Sequence, residues 1–235
     1  MSSSPKTRLI YLPGIDGTGR LLHRQPRLFE QYDVRCISYP QDRPNTYAEL
    51  VALGASQLEP DGGIVLSESF GGGVALQLAL ERPDLVKQLV LVNTFAYFPR
   101  RPLIQLLAGL GRLLPSRPVV TWSRPLRARF FFPPDTPPVE FDTWWEKTAD
   151  VPMSAYGQRF RLITRLDLRA ELSRIAIPAI VFTAPNDPIV PPPAGRLLAK
   201  LLPNARLIER PAGHAAMIHP SIDVAAWLCQ PPLAG

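Results

Sequence analysis

The run Gly63-Ile64-Val65-Leu66-Ser67-Glu68-Ser69-Phe70-Gly71-Gly72-Gly73-Val74-Ala75-Leu76 leaves this chain few ways to fold. Ile64, Val65 and Leu66 are apolar without alternation, as in a parallel strand covered on both faces. Val74, Leu76, Leu78 and Leu80 fall in a helix-forming segment that stops at Pro83, because proline cannot continue a helix. Between strand and helix the backbone must turn sharply, with Ser69 at the apex. In so tight a turn the residues two before and two after the apex come close together and must be small, and Ser67 and Gly71 both are. The pattern is G-x-S-x-G with Ser67 in place of the first glycine, and its flanking strand and helix make Ser69 a candidate nucleophile.

A chain of 235 residues can bury one large core but is short for two, so a single domain over 1–235 is expected. The formal charge is +6, yet no run of five like charges occurs and the arginines are mostly isolated among apolar residues. Nucleic-acid binding wants clustered basic stripes, so that class of partner is set aside. Residues 85–134 hold no acidic side chain, while Lys87, Arg100, Arg101, Arg112, Arg117, Arg124, Arg127 and Arg129 fall there. This reads as a solvated basic face, or as a surface that meets anionic lipid or an acidic substrate. Cys36 and Cys229, each among apolar neighbours, read as small core residues of a reduced protein. Met1-Ser2-Ser3-Ser4-Pro5 leads straight into a strand, which reads as no signal peptide and a cytoplasmic location. No apolar stretch approaches the ~20 residues of a membrane span, so no transmembrane segment is expected.

Residues 7–12 read as the first strand and end in Pro13-Gly14-Ile15-Asp16-Gly17-Thr18-Gly19. That loop matches neither nucleotide-binding glycine pattern and lacks the lysine of one of them, so it reads as a loop that turns backbone N–H groups outward. Residues 33–39 read as a second strand, and Thr46-Tyr47-Ala48-Glu49 as a capping box opening a helix to about Leu58. Residues 85–93 read as the strand after the Ser69 helix. Three alternations of strand and helix with short loops predict an α/β fold with a mostly parallel, doubly wound sheet. From about 95 to 172 the alternation stops. Leu103, Leu106, Leu107, Leu110, Leu113 and Leu114 recur at helical spacing, followed by Trp122, Phe130, Phe131, Phe132, a proline cluster, Trp144 and Trp145. This predicts a helical cap inserted over the sheet. Strands return at 179–183 and 206–209, with a helix around 195–202 between them and a closing helix at 221–229.

Ligands of an open parallel sheet gather outside the carboxyl ends of its strands. Ser69, Asp187 and His214 each lie just past a predicted strand end. A serine hydroxyl needs a base within hydrogen-bond reach, and the base needs a carboxylate to hold its tautomer and stabilise the imidazolium. His214 is assigned as base and Asp187 as acid. His23, placed on a helix after the glycine loop, and His219 are rival bases. Asp167 and Asp223 lack the strand-end context, and Asn93 occupies the other strand end where such an acid can stand. Backbone N–H groups of Phe70 and Ile15 are assigned to hold the oxyanion, with Asp16 next in line. The Asp16 carboxylate itself reads as a turn cap, and Glu68 as a structural carboxylate or a group tuning access. No His, Cys, Asp and Glu cluster has metal-ligand spacing, so no metal or cofactor is expected.

In this Ser-Asp-His order, and in Leu12-Pro13-Gly14-Ile15-Asp16-Gly17-Thr18-Gly19 and Glu68-Ser69-Phe70-Gly71-Gly72, the chain resembles the α/β-hydrolase superfamily over most of its length. Within it, these motifs resemble the small esterase, lipase and thioesterase branch, including the hydrolase portion of plant and cyanobacterial esterase/acyltransferase-like proteins. The resemblance implies a capped α/β-hydrolase fold. It also implies a serine hydrolase that cleaves carboxylic esters of hydrophobic acyl or alcohol groups, its small-molecule partners, through an acyl-enzyme on Ser69. The chain departs from the superfamily in carrying Pro13-Gly14 where a His-Gly pair often stands, and in starting without the first antiparallel strands. An acyltransferase or thioesterase using the same acyl-enzyme, and a slow-turnover ligand receptor on the same fold, are the competing readings.

Overall fold

The computed structural model describes residues 5–98, 124–133 and 136–229, with Pro102, Gln105, Leu106 and Gly109 between. Among the described residues six parallel strands form one sheet: β1 (Arg8–Leu12), β2 (Asp33–Cys36), β3 (Gly63–Glu68), β4 (Val86–Val92), β5 (Ala179–Thr183) and β6 (Ala205–Glu209), in the order β2-β1-β3-β4-β5-β6. The helices α1 (Pro26–Gln31), α2 (Tyr47–Leu58), α3 (Gly71–Glu81), α7 (Pro192–Leu201) and α8 (Val224–Leu228) cover its faces, and α4 (Arg124–Phe131), α5 (Pro138–Thr148) and α6 (Met153–Arg165) lie between β4 and β5 in sequence.

Successive strand residues point to opposite faces, and the apolar runs supply both. On one face Ile10, Leu12, Val65, Leu89, Leu91 and Val181 pack against α2, α3 and α7. On the other, Leu9, Tyr11, Ile64, Leu66, Val90, Val92, Ile180 and Phe182 pack against α1 and α8. Each such side chain, removed from water, contributes roughly 1.5–3 kcal/mol, which is why the central strands tolerate no polar alternation. Local signals agree with this packing. Thr46 accepts from the Glu49 N–H while the Glu49 carboxylate accepts from the Thr46 N–H, so the predicted capping box opens α2.

The chain leaves β1 for β2 on one side and returns to β3 on the other. The loops after β1 and β3 therefore diverge, leaving a crevice at the carboxyl ends of the strands.

Four readings are corrected. The second strand ends at Cys36, not at residue 39, because it is an edge strand paired on one side only. For the same reason Cys36 is exposed, and Cys229, at the end of α8, is exposed too, so neither is a core residue. His23 lies in the turn ahead of α1, which starts only at Pro26. The closing helix spans five residues, held off by Pro220 until Asp223 can cap it.

Leu103, Leu107, Leu110, Leu113, Leu114, Trp122, Arg100, Arg101, Arg112 and Arg117 lie outside the described residues, as do the side chains of Arg127 and Phe130. Leu106 is exposed. Arg124 pairs with Asp142 and lies over the rings of Phe141 and Trp145. Among the described residues no helix is long and apolar enough to cross a membrane.

Candidate active site

β3 delivers Ser69 into the crevice through a backbone conformation that side chains rarely adopt, with φ 49°. Such strain costs of order 1–3 kcal/mol, and the surroundings hold it in place. The Ser69 N–H donates to Val92 O at 3.0 Å, and Ser69 O accepts from Gly72 N at 3.1 Å and from Thr94 Oγ1 at 2.5 Å. A Cβ on Gly71 would lie 2.4 Å from Leu12 O and 2.6 Å from Pro13 O, so only glycine fits where α3 passes the end of β1. Ser67, at the position of the missing glycine, is fully buried with its hydroxyl toward Val90 O at 3.4 Å.

Two further loops bring their side chains to Ser69. His214 Nε2 lies 3.1 Å from Ser69 Oγ, and His214 Nδ1 lies 2.8 Å from Asp187 Oδ2. The other Asp187 oxygen accepts from the Ile189 and Val190 N–H groups at 2.7 and 3.0 Å, which fixes the carboxylate plane. Asp187 and His214 are 5% and 7% exposed, so this chain of hydrogen bonds is shielded from bulk water. Burial pushes the His214 pKa down, but the Asp187 charge and hydrogen bond, with Glu68 beyond, outweigh it, and the imidazole is held above its ordinary value.

Asn93, noted in the sequence only as the occupant of the other strand end where an acid can stand, organises these loops. Also at positive φ (44°), it donates through Nδ2 to Gly213 O and His214 O at 2.8 and 3.1 Å and accepts from Ala184 N at 2.8 Å. It thereby ties the end of β4 to the loops carrying the acid and the base. The rival residues are engaged elsewhere. His219 bonds Ser221, His23 faces Glu140 at 3.8 Å, Asp167 pairs with Arg169, and Asp223 caps α8 and pairs with Arg27.

Beside the serine, the backbone N–H groups of Ile15, Asp16 and Phe70 meet no acceptor among the described residues. Sheltered N–H groups without partners are rare, and Phe70 follows the serine directly while the loop after β1 lies against Gly71 of the same turn. The Asp16 carboxylate is a turn cap, accepting from Thr18 N and Thr18 Oγ1 at 2.8 and 2.6 Å. Glu68 is buried and accepts from Tyr11 OH at 2.6 Å. Burial and the neighbouring Asp16 push its pKa up to about 7, against the Tyr11 and Gly14 hydrogen bonds and the His214 charge.

The segment between β4 and β5 reaches this group. The Phe131 ring stands 5.5 Å from the His214 ring, edge to face, and continues into Phe132, Phe141 and Trp144. From α6, Arg159 reaches the carbonyls of Ile15 and Asp16. Nothing in the sequence reading singled out Arg159 or Tyr11. A signal for Arg159 exists: it shares the spacing 155, 159, 163 with the buried Ala155 and Ile163, a charge at an apolar-face position. Among the described residues no three His, Cys, Asp or Glu side chains gather as metal ligands.

The sequence profile described as the alpha/beta hydrolase family matches residues 9–227. Phytyl ester synthase 2, chloroplastic, of Arabidopsis thaliana is 33% identical over 46% of this chain, a stretch that covers only 16% of that protein. The RutD protein of Yersinia enterocolitica, whose name describes it as a carbamate hydrolase, is 25% identical over 92% of this chain and 83% of its own. The pimeloyl-[acyl-carrier protein] methyl ester esterase of Nitrosomonas europaea is 32% identical over 64% of this chain and 63% of its own. Among solved structures, the enol-lactonase of Burkholderia xenovorans superposes with a TM-score of 0.79 at 19% identity, over 92% of this chain and 87% of that one.

Proposed function

The chain belongs to the alpha/beta hydrolase family, and on that premise we propose that it is a serine hydrolase cleaving carboxylic esters with a hydrophobic acyl or alcohol group. The observation that carries the reading is the hydrogen-bond chain from Asp187 through His214 to Ser69, and it is supported by the N–H groups of Ile15, Asp16 and Phe70, which meet no acceptor among the described residues. In this reading His214 takes the Ser69 proton as Oγ attacks the carbonyl, and Asp187 stabilises the imidazolium. The Phe70 and Ile15 N–H groups hold the oxyanion. His214 then protonates the leaving alcohol, and water repeats the sequence on the acyl-enzyme. The raised pKa of His214 favours the proton uptake this needs. We assign the whole of 1–235 to one domain, with the insertion as a cap whose Phe131, Phe132, Phe141 and Trp144 line the apolar side of the site.

The two ester-related relatives support the substrate class, and one of them is named for making an ester. Acyl transfer from Ser69 to an alcohol is therefore the second reading.

A p-nitrophenyl acyl ester series, run in water and with added alcohol, tests both. If the cap aromatics form an acyl pocket, each added methylene contributes about 0.8 kcal/mol, roughly fourfold in kcat/KM, until the pocket is full. Efficiency that is highest at acetate and declines steadily would remove the acyl pocket. Preference for an aryl carbamate of equal size would move the substrate class toward that of the RutD relative.

A further inference from the structure

We infer that Arg159, supplied by the insertion, is a positioning residue for the oxyanion donors: its guanidinium fixes the peptide planes that aim the N–H groups of residues 15 and 16. The inference rests on the Ser69 reading above.

Arg159 is 1% exposed, and among the described residues no carboxylate forms an ion pair with it. A charge buried in this way costs several kcal/mol unless hydrogen bonds replace its water. Here the replacements come from two loops, residues 15 and 16 after β1 and residues 40 and 41 after β2, while Nε meets no acceptor among the described residues. Nη1 donates to Ile15 O and Asp16 O, each at 2.9 Å. Nη2 donates to Pro40 O at 3.2 Å and to Gln41 Oε1 at 3.1 Å, while Gln41 Nε2 donates in turn to Asp16 O at 3.0 Å. The ring of Tyr39 lies 5.6 Å beneath the guanidinium.

A trans peptide carries its C=O and the next residue's N–H on opposite edges of one plane. Pulling Ile15 C=O toward Arg159 therefore aims the Asp16 N–H the other way. Holding Asp16 C=O with Arg159 and Gln41 orients the Gly17 N–H, which donates to Gly14 O at 3.0 Å. That bond fixes the Gly14–Ile15 peptide and with it the Ile15 N–H. One guanidinium thus sets both candidate donors through consecutive planes. The loop is shaped to admit it, since a Cβ on Gly17, at φ 67°, would stand 2.6 Å from Arg159 Cζ. Val151, Ala155 and Tyr156 of the insertion pack against Ile15 from the same side. The seating of α6 and the aim of the oxyanion donors are therefore one structural variable.

The test compares Arg159→Met, Arg159→Lys and Gln41→Ala with wild type, and Ser69→Ala as control. Rates are measured on p-nitrophenyl butanoate and inhibition with butylboronic acid, whose tetrahedral adduct on Ser69 places an oxygen where the oxyanion forms. Folded fraction is followed by thermal unfolding. Misplacing donors by an ångström costs about 10²-fold, so Arg159→Met should lose about that in kcat with little change in KM, and boronate affinity should fall by a matching factor. Arg159→Lys, a point charge without the planar fork, should recover only part. Gln41→Ala acts at a partly exposed site and should show the same matched losses at about fivefold, the equivalent of one hydrogen bond of roughly 1 kcal/mol. If Arg159→Met does not fold, Arg159→Lys and Gln41→Ala decide. Wild-type kcat and boronate affinity in those two, or a raised KM at unchanged kcat, would overturn the clamp. Those results beside a dead Ser69→Ala sink the clamp alone, whereas an active Ser69→Ala sinks the Ser69 reading beneath it.

Discussion

Replacing Asp187 by asparagine changes one atom, and the structure says which way the amide must face. Asp187 Oδ1 accepts from two backbone N–H groups, of Ile189 and Val190, and Oδ2 accepts from His214 Nδ1. Asparagine can keep the two backbone donors only by pointing its oxygen at them, which turns its NH₂ toward His214. The imidazole must then accept at Nδ1 and carry its proton on Nε2, facing Ser69, where a base is needed. The alternative flip restores the histidine tautomer but sets an NH₂ against the buried Val190 N–H and the part-buried Ile189 N–H, at about 1–3 kcal/mol for a buried donor left without its acceptor. The wrong tautomer is therefore the stable one. The expected loss in kcat is up to about 10⁴-fold, equivalent to about 5.4 kcal/mol, with the fold intact. The Asp187 charge also helps hold the His214 pKa up. Residual activity should consequently have its acid limb at lower pH than the wild type, whose limb lies above the usual imidazole value. The assay is kcat/KM from pH 5 to 9 with thermal unfolding of both proteins. A variant within about tenfold of wild type would refute the assigned roles, since a reversed triad tautomer should cost up to about 10⁴-fold.

Ser69→Ala and His214→Ala should each remove nearly as much kcat as the double variant, because the two act as one unit; losses that add on a logarithmic scale would show independent roles. Glu68→Gln should flatten the pH dependence of stability. Its carboxyl is pushed up to about 7 in the fold from 4.5, so the stability its proton confers is full below about 4.5 and lost as pH rises through 7, roughly 3 kcal/mol in all. Thermal melts across pH 4.5–8 read this, and an unchanged slope in the variant would exclude Glu68 as its source.

The sheet was legible because its evidence is local and redundant. Ile64, Val65 and Leu66 had to be covered on both faces, and each of the other apolar runs ended in a turn that could hold a functional side chain. Three such ends, carrying Ser69, Asp187 and His214, converge because parallel strands present all their carboxyl ends on one rim. Errors fell where the governing neighbour is distant in sequence. Cys36 lies in an apolar stretch, and only the strand order, with no strand beyond β2 among the described residues, leaves it exposed.

Within the site, the division follows the same physical line. A nucleophile, base and acid each carry a type and a place in the chain that chemistry demands, so sequence can name them. Asn93 and Arg159 work through backbone carbonyls, and a carbonyl has no residue identity to match. Asn93 gathers Ala184, Gly213 and His214, more than 90 residues away along the chain. Arg159 gathers residues 15, 16, 40 and 41 from more than 115 away. What identifies such residues is the imbalance they leave, a polar side chain where burial demands an apolar one. In α6 that imbalance stands at 159, between Ala155 and Ile163. Spacing alone could mark Arg159 as misplaced; only the fold puts the orphaned carbonyls of a glycine loop in front of it.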